Sequence, residues 1–346
     1  MTYLICQDWC NTAHNHAGIK YFCNKIAELY PEKYSCIVFP DHNDINDING
    51  SRVFRKILYL RGEIQHRAYS RKMLAELLEI LKSGDRVILM EYMGLKYSML
   101  SFARNLKSSR PYIPLYALIH LTPMKLRNFF RPETLKSWVS PVDKILTLGH
   151  SLTSYLIEQG VTSSKIVTLF HPVSQYYLSQ TPVRRHNDNI RVIAMGNQMR
   201  DIDMLTAVIK ANPDIRFVVL QGVSDLSASL DKCPNVELLP FVEEIELRRY
   251  MSESDISLNT MYDTVGSNVI VTSLGMGLAM LCSDVGSIHD YCNDSNTIFC
   301  SSADDFTVAL NRLRTDSNLL DSMRQSSVAK ARELTLEKFV KQIDGI

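Results

Sequence analysis

Residues 255–291 read DISLNTMYDTVGSNVIVTSLGMGLAMLCSDVGSIHDY, and their order decides the fold. A short apolar strand ends at Asn259 and a loop follows. Gly266, Ser267 and Asn268 then open an apolar helix running to Gly275, after which LAMLCSD returns to strand. Strand, helix and strand in this order make a βαβ unit, with parallel strands and a helix covering one face of the sheet. A Gly-Ser-Asn helix start presents backbone N–H groups without intrahelical partners at the positive end of the helix dipole, which can hold a phosphate without a cationic side chain. Ser and Asn are also ordinary capping residues, so this start alone leaves both roles open.

The alternation extends outward in both directions. IRVIAMG, IRFVVLQG, NVELLPF and NTIFCS read as further strands of the same sheet, with RDIDMLTAVIKAN and EEIELRRYMSES as helices between them. In the first half, TYLICQD, YSCIVFP, DRVILMEY, YIPLYALIH and DKILTLG are strand-like, while AGIKYFCNKIAELY, KMLAELLEILKSG and HSLTSYLIEQG carry the helical period. The polar stretch HPVSQYYLSQTPVRRHNDN, with Pro172 and Pro182, interrupts both periods and reads as a linker. The expected α/β architecture is two doubly wound, Rossmann-like domains, residues 1–171 and 190–346, joined by 172–189. The tail from Phe306 forms two or three amphipathic helices that are free to pack back on the first domain. A chain of 346 residues fits two cores better than one, and such sheets take ligands at the carboxyl ends of their strands.

Composition narrows the class. Apolar residues at 46% and charged residues at 22% describe a folded globular protein. The start MTYLICQDWC lacks the basic and long apolar segments of a signal peptide, and no later run approaches the roughly 18 apolar residues of a membrane span. A cytoplasmic location and reduced thiols are therefore expected, with Cys6, Cys36, Cys282 and Cys300 as small buried hydrophobes. Cys6, Cys10, His14 and His16 have too irregular a spacing for zinc, and no metal is expected. The net charge of +1 hides an asymmetry. Residues 1–171 hold 22 Lys+Arg against 14 Asp+Glu, and residues 172–346 hold 16 against 23. Arg52, Arg55, Lys56, Arg61, Arg67, Arg71 and Lys72 face the single acid Glu63, which reads either as a solvated helix face or as an anion- or membrane-facing patch. No nucleic-acid partner is expected.

The segments SLGMGLAML and CSDVGSI, following the GSN helix start, resemble the nucleotide-sugar site of GT-B glycosyltransferases, in particular the large retaining family 4. The resemblance continues in order over about 300 residues. Gly18 matches a glycine loop of the N-domain, KILTLGHSLTSYLIEQGVTSSKIVTLFHPVS the closing elements of that domain, RVIAMGNQMRD the opening strand of the C-domain, and VELLPFVEEIELRRYMSESDISL the elements before the donor site.

The resemblance implies a donor diphosphate on Gly266, Ser267, Asn268 and Val269, with Gly196 and Arg200 beside it, Phe241 and Val242 near the base, and Thr272 near the ribose. It places His120, at the end of YIPLYALIH, over the donor sugar. Glu91, also at a strand end, is a candidate acceptor-binding carboxylate or base, and His16 and Gly18 lie in the first loop on the acceptor side. One departure is plain: the family's two glutamates, spaced E-x7-E, fall on Thr264 and Thr272, leaving Asp263 as the nearby acid able to stand in for the first.

The expected activity is transfer of a hexose-type sugar from a UDP- or GDP-linked donor to a glycan or lipid-linked acceptor, with retention and without a cofactor, in polysaccharide or glycolipid biosynthesis. A catalytically silent GT-B partner or glycan-binding protein and a nucleotide-sugar epimerase are the alternatives. The basic first half, together with MKLRNFFRPETLKSW, in which Phe129, Phe130 and Trp138 lie among basic residues, adds an anionic membrane surface on the cytoplasmic side as an expected partner.

Overall fold

The structure, a computed structural model, describes residues 1–9, 15–41, 52–94, 98–178, 190–222 and 225–346. The chain forms two compact units, one comprising Met1–Leu169 with Gln342–Ile346 and the other Phe170–Lys341.

In the first unit the elements are β1 (Thr2–Gln7), α1 (Ile19–Leu29), β2 (Tyr34–Phe39), α2 (Arg52–Ile80), β3 (Arg86–Leu89), α3 (Leu100–Ser109), β4 (Leu115–Ile119), α4 (Pro123–Phe129), α5 (Pro132–Val139), β5 (Lys144–Thr147), α6 (His150–Glu158) and β6 (Ile166–Thr168). The strands form one parallel sheet ordered β2-β1-β3-β4-β5-β6. Every residue of β1 and β4 is buried, as a sheet covered on both faces demands.

The second unit contains β7 (Arg191–Ala194), α7 (Ile202–Ala211), β8 (Arg216–Leu220), α8 (Ser227–Leu230), β9 (Val236–Leu239), α9 (Glu244–Ser252), β10 (Ile256–Asn259), α10 (Asn268–Gly275), β11 (Ala279–Ser283), α11 (Ile288–Tyr291), β12 (Thr297–Cys300), α12 (Ala303–Thr315), α13 (Ser317–Ala331) and α14 (Leu336–Asp344). Its parallel sheet runs β12-β11-β10-β7-β8-β9. Helix α10 reads as apolar all round because its residues from Ile270 to Gly275 are all buried, between the sheet and α13.

Each sheet reverses its winding once, between β1 and β3 in the first unit and between β7 and β10 in the second. At such a switch point the flanking loops diverge to opposite faces and leave a crevice beyond the carboxyl ends of the strands. Residues singled out from the sequence lie in the loops at both switch points.

Three expectations change. Helix α2 begins at Arg52, some twenty residues before the amphipathic pattern suggests. The described part of the supposed linker is firmly packed. Val173 N donates to Leu334 O at 2.7 Å, Tyr177 Oη donates to Glu244 at 2.8 Å, and Val173 joins the core around α10, while residues 179–189 lie outside the described residues. Trp138, expected in a lipid interface, is buried, with its ring edge-on to Tyr92 and Phe130, and Tyr92 Oη donates to its carbonyl at 2.7 Å. Its basic neighbour Arg127 lies over the Tyr155 ring. Trp138 is thus a packing residue, whereas Phe130 is half-buried and Phe129 is 59% exposed.

Candidate functional site

At the switch point of the second unit, the loop after β7 and the loop after β10 are stitched together. Tyr262 N donates to Met199 O, Asp201 N to Thr260 O, and Thr260 Oγ1 to Asp201 O, each at 2.9 Å. Arg200 pairs with Met261 in an isolated antiparallel bridge, and Met261 N donates to Ser283 Oγ at 2.9 Å, tying in the end of β11. Gly196 has φ +85°, and a Cβ there would stand 2.7 Å from Val269 Cγ2. Its lack of a side chain lets the β7 loop lie directly against the first turn of α10. Gly286 packs as tightly: a Cβ would meet Thr264 O at 2.3 Å.

Gly266, Ser267, Asn268 and Val269 are half-exposed while the residues on either side, Val265 and Ile270, are buried. Ser267 is the N-cap, yet its side chain makes no capping bond, so the first amides of α10 are left for an outside acceptor. Asn268 Oδ1 is buried without a hydrogen-bond partner among the described residues.

Arg200 supplies the cation. Its Nη1 donates to Leu220 O at 3.1 Å, at the end of β8, whereas its Nη2 is buried with no partner among the described residues. Burial alone lowers its pKa, to about 10, so it stays charged at neutral pH. A desolvated guanidinium with no carboxylate beside it among the described residues is an unfavourable arrangement that an arriving anion relieves. A buried guanidinium with an open N–H among the described residues and an uncapped helix start at one switch point are an arrangement that can hold an anion.

The other residues expected on the donor side occupy the loops after β9 and β10 and the helix α10. Phe241, in the turn after β9, is 52% exposed, and Val242 beside it is half-buried. Thr272 Oγ1 donates back to Asn268 O at 2.6 Å, so its proton is used within the helix and its oxygen can only accept. Thr264 Oγ1 donates to Val265 O, and Asp263 Oδ1 accepts from Thr264 N at 2.8 Å; both residues are buried under Gly286. Asp263 therefore holds the loop in shape with one of its oxygens.

At the switch point of the first unit, Glu91 follows β3 and closes across to the end of β1. Its Oε2 accepts from Gln7 N at 2.8 Å and its Oε1 from Trp9 Nε1 at 2.7 Å. Burial raises its pKa to about 7 against the opposing effect of these two donors. His120 follows β4, its Nε2 2.7 Å from Met90 O. A carbonyl only accepts, so Nε2 carries the proton; burial lowers the pKa to about 4, making the ring neutral with Nδ1 as its acceptor. Gly18 caps α1 at φ +92°, and the His16 ring lies 5.5 Å from that of Tyr21. Cys10 and His14 lie outside the described residues. Among the described residues no cluster of three His, Cys, Asp or Glu side chains is arranged for a metal.

Trp9, Gln7 and Ser283 were not singled out from the sequence as site residues. Ser283 lies within the CSDVGSI segment, where a serine at a strand end could have been marked. Nothing in the sequence signals that the Trp9 indole reaches a carboxylate more than eighty residues away.

Two parallel α/β units, each with one switch point in its sheet, define the fold class, GT-B, which the superposed structures share. Within it, residues 189–316 match the family model described as Glycosyl transferases group 1. Anabaena HepE in complex with UDP superposes with a TM-score of 0.71 at 13% identity, covering 100% of this chain and 99% of that one. Sucrose-phosphate synthase from Thermosynechococcus elongatus gives 0.68 at 13%, with 100% and 98% covered. The lipopolysaccharide outer core galactosyltransferase WaaB gives 0.64 at 11%, with 99% and 98% covered. At these identities the likeness is one of fold. No curated protein matches the chain significantly in sequence.

Proposed function

We propose that the protein takes a nucleoside-diphosphate sugar on its C-terminal unit and passes a hexose-type sugar to an acceptor held by its N-terminal unit. The observation that carries this reading is Nη2 of Arg200, buried and without a partner among the described residues, at the same switch point as the uncapped start of α10.

As the bond from the anomeric carbon to the diphosphate breaks, negative charge grows on the leaving oxygen. Arg200 and the amides of Gly266 to Val269 are fixed donors, so they bind that charge more strongly in the transition state than in the ground state. This assigns charge neutralisation to protein groups in place of a metal. Phe241 gives the base an aromatic surface, Val242 an apolar edge, and Thr272 an acceptor for one ribose hydroxyl. Asp263 is the carboxylate nearest in sequence to the family's sugar-side position.

On the acceptor side, Glu91 with its pKa near 7 is poised to take the proton of an acceptor hydroxyl, and His120 offers a neutral Nδ1 to a sugar hydroxyl. Gly18 and His16 shape the acceptor loop. HepE is solved with UDP-glucose as well as UDP, which supports a UDP-linked donor here over a GDP-linked one. A glycan or lipid-linked acceptor, in polysaccharide or glycolipid biosynthesis, and retention of configuration complete the proposal.

A second reading, a catalytically silent GT-B subunit that binds donor or glycan, is favoured by one observation: the Thr272 proton is committed to Asn268 O where the family has a ribose-binding carboxylate. Incubation with UDP-, GDP- and CMP-sugars, scoring nucleotide release with and without glycan acceptors, separates the two. Acceptor-dependent release supports transfer, whereas tight nucleotide binding with no release under any condition supports the silent subunit.

A further inference from the structure

Helix α2 carries large apolar side chains that are exposed to solvent. Phe54, Ile57, Leu60 and Ile64 are 48%, 57%, 51% and 67% exposed. At about 100° per residue, Ile57, Leu60 and Ile64 share one stripe, while the buried Gly62 and His66 point the opposite way. The helix thus meets its own unit through the Gly62–His66 side and turns three large aliphatic side chains outward. Single exposed hydrophobics are ordinary, but a contiguous row on one helix face is not.

What flanks the row indicates what covers it. Lys56 and Arg67 lie along one margin and Arg61 along the other, all exposed, with Arg71 continuing below. Glu63 is the only acid between residues 52 and 72, against seven basic residues. An apolar stripe bordered on both sides by cations fits the boundary between acyl chains and acidic headgroups, where the stripe enters the hydrocarbon edge and the basic side chains reach phosphate. A second copy of this chain, whose own stripe has the same cationic margins, meets like charge there. No helix among the described residues is long and apolar enough to cross a membrane, so attachment of this kind is peripheral.

We propose that the exposed face of α2, Ile57, Leu60 and Ile64 with Lys56, Arg61 and Arg67, docks the protein on an anionic lipid bilayer. The proposal stands independently of the donor site, since none of these residues belongs to it. The test is co-sedimentation with phosphatidylcholine vesicles, with and without one third phosphatidylglycerol, at about 0.05 M and about 1 M salt. The wild type should pellet with the anionic vesicles at low salt and remain soluble with pure phosphatidylcholine and at high salt. Ile57→Ser with Ile64→Ser, and separately Lys56→Glu with Arg61→Glu, should each weaken partitioning at least tenfold with unchanged thermal unfolding and nucleotide binding. Both pairs are solvent-exposed and outside the donor site, so folding is not at risk. Failure of the wild type to bind, equal binding by both variants, or a concentration-dependent wild-type dimer that Ile57→Ser with Ile64→Ser makes monomeric without vesicle binding would each overturn it.

Discussion

Trp9 Nε1 donates a 2.7 Å hydrogen bond to Oε1 of Glu91, joining the loop after β1 to the end of β3 across the switch point of the first sheet. The same carboxylate is pushed by burial from 4.5 to about 7, while the indole and Gln7 N favour its charged form. Its proton is therefore exchanged near neutrality, in the range where a base for a sugar hydroxyl is useful.

A general base must be ionised, so the transfer rate should rise with pH through about 7. Trp9→Phe removes a donor that favours the carboxylate and should move this limb to higher pH, and Glu91→Gln should abolish it. Stability follows with a definite sign. Between pH 4.5 and about 7 the folded state holds a proton on Glu91 that the unfolded chain has released, so wild-type stability should decline over that window as pH rises. Denaturant unfolding of wild type and Glu91→Gln at several pH values checks this; an identical pH dependence in both would show that Glu91 is not the titrating group.

Gly196 and Gly160 give a matched comparison. Both have φ +85°, but a Cβ at Gly160 meets nothing within 4 Å, whereas one at Gly196 stands 2.7 Å from Val269 Cγ2. Gly160→Ala should cost only left-handed strain, about 1–2 kcal/mol, with unchanged nucleotide affinity. Gly196→Ala should cost more and also weaken nucleotide binding, because it pushes the β7 loop off the first turn of α10. Combining it with Val269→Ala should restore part of the loss. Equal effects at the two glycines in unfolding and binding assays would contradict the close approach.

Much of this architecture was legible. Apolar runs such as LYALI and AMLCS, short and set between helical patterns, read as strands buried on both faces, and the GSN start marked α10 through backbone chemistry that needs no partner. What was not legible depends on contact at a distance. Trp138 looked interfacial because its basic neighbours are adjacent in sequence, whereas its packing partner Tyr92 lies 46 positions away. The early start of α2 was hidden for a physical reason: with Ile57, Leu60 and Ile64 on the face turned away from the protein, its first turns do not show the core-facing period by which a helix is usually read.

Asp263 and Thr264 are neighbours with different assignments. Asp263→Asn keeps an oxygen able to accept from Thr264 N, so stability should change by less than about 1 kcal/mol. If the charge assists the breaking sugar bond, kcat should fall more than in Thr264→Ala, which removes only a hydroxyl bound to Val265 O. Equal kcat values in the two variants would leave Asp263 as a loop-shaping residue alone.

The central claim is that Arg200 is the unpaired cation of a diphosphate site, and calorimetric titration of UDP into wild type, Arg200→Lys and Arg200→Ala tests it most directly. Nη2 of Arg200 has no partner among the described residues, and burial is the sole cause of its lowered pKa. Arg200→Ala should therefore lose about 1.5–3 kcal/mol of UDP affinity, the usual worth of a charge-assisted hydrogen bond. Arg200→Lys should fall between, and uridine, which lacks the diphosphate, should bind the wild type and Arg200→Ala alike. UDP affinity unchanged in a folded Arg200→Ala would contradict the account.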